Sequence, residues 1–158
     1  MIKENFNFGY ACLNTELRKQ NIFMSRTCRL ATLKKNGLEY VKNLAIENLK
    51  DILKILKWNK ENDIYFMRLS SEIFPFASHK ELGYDISFAD SFLKEIGDYA
   101  NLYNMRLTMH PAQHCVLSSK DKNIVENTIK DLNLHATILD KMNIGKNGVM
   151  IIHGGFNC

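Results

Sequence analysis

Ile64-Tyr-Phe-Met-Arg-Leu69 is a short run, apolar but for Arg68, held between the polar turn of residues 59–63 and Ser70-Ser71. It has the length and bounding of a strand buried on both faces. Upstream, starting at Leu38, Val41, Leu44, Ala45, Leu49, Ile52, Leu53 and Leu56 recur every three to four residues, with Lys42, Lys50, Asp51, Lys54 and Lys57 between them. That spacing predicts an amphipathic helix running into the strand. The same unit repeats on both sides. Phe8-Gly-Tyr-Ala-Cys-Leu13 reads as a first strand stopping at Asn14. Ser87 is placed to cap a second helix, with Asp90 three residues on and Phe88, Phe92, Ile96, Ala100 and Tyr103 on one stripe. Arg106 to Met109 follows as a third strand. Ser119 can cap a third helix with the stripe Val125, Thr128, Ile129, Leu132, Ala136 and Leu139, which closes at residues 143–148. Val149-Met-Ile-Ile152 is a fourth strand running into His153-Gly-Gly155. Such alternation produces right-handed βαβ crossovers and a parallel sheet, an α/β architecture of about four βα units.

The chain has 158 residues, 46% hydrophobic and 24% charged, with two prolines and eight glycines, which excludes collagen-like and charged disordered classes. At this length a single domain over residues 1–158 is expected. The net charge of +4 would suit a phosphate backbone and decides little by itself. Cys12, Cys28, Cys115 and Cys158 stand far apart without a CxxC pair, and residues 1–7 are polar rather than leader-like, so reduced thiols in a soluble intracellular protein are expected. No apolar run approaches the ~18 residues of a membrane span.

Parallel sheets of this kind bind ligands at the carboxyl ends of their strands. The residues there are Asn14, Ser70 with Ser71, His110 and His153, so two of four strands deliver a histidine to one edge. Neutral imidazole is a common ligand for manganese, zinc and iron, which makes His110 and His153 metal candidates, with His79 and His114 as further imidazoles. His135 borders a helix stripe and reads as structural. Pro111 fixes a loop from which Gln113 and His114 can project beyond the sheet. Arg26 and Arg29, flanking Cys28, have the guanidinium geometry that suits phosphate.

The blocks Gly9-Tyr-Ala-Cys-Leu-Asn14, Arg26-Thr-Cys-Arg-Leu30, Arg68-Leu-Ser-Ser71, Phe74-Pro-Phe-Ala-Ser-His79, Met105-Arg-Leu-Thr-Met-His-Pro111 with Gln113, and Ile152-His-Gly-Gly155 together resemble the UV-damage endonuclease family in order and approximate spacing. The resemblance covers nearly the whole chain. It implies a TIM barrel related to the endonuclease IV and xylose isomerase barrels. It also implies a divalent-metal-dependent hydrolase, typically using manganese (Mn2+), that incises DNA on the 5′ side of a pyrimidine photolesion. By the same resemblance, His79, His110 and His153 are metal ligands, while Tyr10, Asn14, Gln113 and His114 contact UV-damaged double-stranded DNA. Where many members carry an aromatic residue, this chain has His114.

The family's catalytic carboxylates come from later strands, and nothing follows Cys158 in this sequence. Since a whole barrel needs roughly 250 residues, the expectation is a fragment, or a chain completed by a second one. A non-catalytic damaged-DNA-binding or assembly module is the alternative. The Gln113 loop and the Tyr10/Asn14 pair argue against a sugar isomerase or abasic-site endonuclease of the same superfamily.

Overall fold

The computed structural model describes residues 8–153, so the polar opening segment, Gly154-Gly155 and Cys158 lie outside the described residues. Four strands, β1 (Gly9–Ala11), β2 (Phe66–Leu69), β3 (Arg106–Met109) and β4 (Gly148–Met150), form one parallel sheet in sequence order. The register aligns Tyr10 with Met67, Met67 with Leu107, and Leu107 with Gly148. Helices α1 (Thr15–Arg18), α2 (Leu30–Glu61), α3 (Asp90–Leu102) and α4 (Lys122–Met142) connect the strands. Each strand pairs with the next one in sequence, and α2 packs on α3 and α3 on α4, so the long helices share one face of the sheet. That is the arrangement of consecutive βα units in a TIM-type barrel; a doubly wound sheet would reverse its strand order part-way.

The period-two alternation of the strands divides the sheet. Met67, Leu69, Leu107 and Met109 are buried against Leu49, Ile52, Ile55 and Leu56 of α2, Leu93 and Ile96 of α3, and Ile138 and Met142 of α4. The opposite face carries Gly9, Ala11, Arg68, Arg106, Thr108 and Val149, the side a barrel turns inward. Helices α3 and α4 meet closely at Gly97, where a Cβ would stand 1.7 Å from the Met142 carbonyl oxygen.

Several local expectations shift. The helix expected from Leu38 is the main part of α2, but a helical turn already starts at Leu30 and is separated from it by Gly37, at φ 80° and ψ 176°. Only glycine adopts that conformation cheaply. Helix α1 is too short to show an apolar period. Ser87 does not cap α3; its own N–H and hydroxyl donate to the Asp85 carboxylate. Asp121 rather than Ser119 caps α4, accepting from the Asn123 amide. The buried residues of α4 are Thr128, Leu132, His135, Ile138, Leu139 and Met142, while Ile129 is exposed, because α3 meets α4 closely at Met142 and not on the Ile129 side.

Candidate functional site

The strand ends place the candidate residues on one rim. Alternation along β3 and β4 turns His110 and His153 to the same inner face, where their rings lie edge to face with centroids 4.5 Å apart. The Nε2 of His153 lies 3.3 Å from the Pro111 carbonyl oxygen. A proton on Nε2 donates to that carbonyl and leaves the Nδ1 lone pair free, the way an outer hydrogen bond fixes the tautomer of a ligating imidazole.

His79 does not join that pair. Its Nδ1 accepts from the backbone amides of Glu81 and Leu82, each at 3.2 Å. Accepting there puts the proton of the neutral ring on Nε2, so His79 stands as a donor, and a ligand role requires its ring to turn away from both amides. Among the described residues no three His, Cys, Asp or Glu side chains converge closely enough to hold a metal ion. The donor set therefore fits a divalent ion as two neighbouring imidazoles that need further donors.

The loop after β3 carries the second element. Gln113 and His114 are exposed, and among the described residues neither side chain hydrogen-bonds within the chain. His114 and His79 both line a cleft of about 480 Å³, walled also by Phe74, Phe76, Thr128 and Asp131. Phe76 holds a left-handed backbone at φ 64°, a conformation that costs a bulky residue about 1 kcal/mol or more and is kept by its surroundings.

Beneath this cleft is a polar cluster that sequence reasoning missed. The Asp131 carboxylate accepts from the Ser78 hydroxyl at 2.9 Å and from the Cys115 thiol at 3.0 Å. Burial, and then the adjoining Asp131 carboxylate, push the Cys115 thiol up to about 12, so it stays a protonated donor at neutral pH. Thr128, one turn earlier on α4, accepts from the Val116 amide at 3.0 Å. Fully buried His135 contacts the Asp131 carbonyl through Nδ1 at 2.7 Å, the structural role its stripe position suggests. The spacing Thr128, Asp131, His135 on one helix face was the available signal, masked because a lone Asp among charged residues reads as solvated surface.

The end of β1 and the loop after it are bound differently. Tyr10 faces the helix layer; its hydroxyl donates to Asn59 Oδ1 at 2.6 Å and accepts from Asn14 Nδ2 at 2.9 Å. Asn14 is nearly buried and caps α1 by accepting from the Leu17 amide. Both side chains are thus engaged inside the chain. Arg26, a phosphate candidate by type, is consumed as well: it pairs with Asp51 at 2.6 Å and donates to the Asn21 carbonyl. Burial alone would raise the Asp51 carboxyl, but bonds from Lys54, Arg26 and the Phe23 amide hold it below the usual carboxylate range. Arg29 sits at the start of α2.

Consecutive βα units in one parallel sheet of sequence order define the class as a partial TIM-type barrel. The sequence model of the UV-endonuclease UvdE family matches residues 6–157, and the chain belongs to that family. It is 48% identical over 153 residues to the UV-damage endonuclease of Schizosaccharomyces pombe, covering 93% of this chain and 26% of that protein. It is 43% identical to a putative UV-damage endonuclease of Acanthamoeba polyphaga mimivirus, covering 93% of this chain and 46% of that one. A crystal structure of SacUVDE superposes with a TM-score of 0.84 at 31% identity, covering 96% of this chain and 50% of the other. The chain thus spans half or less of the length of these relatives. None of the helices among the described residues is long and apolar enough to cross a membrane.

Proposed function

We propose that this chain serves a DNA repair endonuclease that incises the strand on the 5′ side of ultraviolet photolesions. The observation carrying this reading is the adjacency of the His110–His153 pair to the open Gln113/His114 loop on one rim. A divalent cation, manganese in this proposal, would be held by His110 and His153 with donors from beyond them. When bound, it neutralises phosphodiester charge and lowers the pKa of water from 15.7 towards about 7. His153, oriented by the Pro111 carbonyl, would keep its Nδ1 lone pair towards the ion. Gln113 and His114 would enter the duplex where stacking is already weakened, so that an unstacking cost of a few kcal/mol is smaller at a lesion than in intact DNA. Tyr10 on β1 and Asn14 just past it would support that surface through the network that anchors them to α2. The outer edges of β1 and β4 and the polar inner face would be covered by further barrel strands, on the same polypeptide or on a second chain.

The test is nicking of UV-irradiated and intact plasmid with manganese or with a chelator, on this chain alone and together with polypeptide that closes the barrel. Manganese-dependent nicks confined to irradiated plasmid are expected at least with the closed barrel. Equal nicking of both plasmids would overturn the reading.

A further inference from the structure

The loops carrying His79 and His114 come from different βα units, yet each is fastened one residue from its imidazole to the same carboxylate. Ser78 precedes His79 and Cys115 follows His114, and both donate to Asp131, one to each oxygen. Asp131 is itself fixed. Its backbone carbonyl is engaged by the fully buried His135 ring, and Thr128 on the same helix face holds the Val116 amide just beyond Cys115. Two hydrogen bonds onto one carboxylate that its own helix holds in place join the three points into a bridge between the loops along the lining of the cleft.

We infer that Asp131 is a positioning residue that sets the separation of the His79 and His114 loops, and through it the fit of distorted duplex in the cleft. The consequence for DNA rests on the function proposed above; the coupling between the loops does not. No ligand touches Asp131 in this role. Its contribution is to limit how far either loop moves without the other.

The experiment uses the full chain and two substitutions of different reach. Ser78→Ala removes one arm of the bridge and nothing from the far loop. Its amide NMR spectrum is expected to show shifts at Gln113, His114 and Val116 as well as around His79. Shifts confined to residues 76–82 would overturn the inference. Asp131→Ala removes both arms and is expected to lower the preference for UV-irradiated over intact duplex by about threefold to tenfold. Asp131→Asn, which still accepts through one oxygen, should restore part of that preference. Full preference in a folded Asp131→Ala chain would also overturn the inference. Should Asp131→Ala fail to fold, the Ser78→Ala spectrum still decides. A wild-type chain that binds both duplexes equally would instead break the proposed function, with the loop coupling still judged by the NMR shifts.

Discussion

The segments after β1 and after β3 occupy equivalent places, each just past a strand's carboxyl end, and they are built oppositely. From β1 onward the chain spends its polar groups on itself: Tyr10 of the strand on Asn59, then Asn14 on Tyr10 and the α1 cap, and Arg26 on Asp51 and a carbonyl. After β3 the loop is fastened from behind by Cys115 and Val116, and it presents Gln113 and His114 to solvent with no partner among the described residues. A loop anchored at its base and free at its tip can meet a ligand without first breaking its own bonds. One whose polar ends are already satisfied contributes stiffness.

Substitutions should separate the two loops by size of effect. Arg26→Ala strands the nearly buried Asp51 with Lys54 and one amide, and a loss of about 3 kcal/mol is expected in urea unfolding. The same pair sets an acid dependence. Because the folded Asp51 carboxyl is held low, its contribution is complete above its unfolded value near 4 and is lost as pH falls further. Unfolding free energy of the wild type should therefore drop on acidification below about pH 4, and Asp51→Asn should flatten that drop.

Asn14→Ala removes an N-cap and a bond to Tyr10 and is expected to cost about 2 kcal/mol. Tyr10→Phe, which leaves the buried Asn59 short of a donor, should cost about 1 kcal/mol. Smallest in stability is Gln113→Ala, within about 0.5 kcal/mol of wild type. A large stability loss from Gln113→Ala, or none from Asn14→Ala, would erase the distinction between the loops. His110→Ala is expected to weaken manganese binding at least about tenfold, as read by electron paramagnetic resonance, without moving the unfolding midpoint appreciably.

Much of this molecule is legible in its sequence because its signals are local. The apolar run of β2 and the three-to-four-residue spacing of α2 directly imply strand and helix, and the alternation implies the parallel order. The strand-end rule then brings His110 and His153 to one face. Less legible is what depends on partners distant in sequence. Neither the hydroxyl of Tyr10 nor the guanidinium of Arg26 reveals by spacing that Asn59 and Asp51 will take it up. His79 looks like its fellow imidazoles until the amides of Glu81 and Leu82 are seen to occupy Nδ1. Asp131 gains its meaning only when two loops from separate units fold onto it.

The most direct measurement is the affinity of the wild-type chain and of Gln113→Ala for the same duplex before and after ultraviolet irradiation. The expected result is tighter binding of the irradiated duplex by the wild type and a roughly tenfold loss of that difference in Gln113→Ala, about the contribution of one stacking or hydrogen-bonding contact. Equal affinity of the wild type for both duplexes, or a difference that survives in Gln113→Ala, would contradict the assignment of damage recognition to the loop after β3.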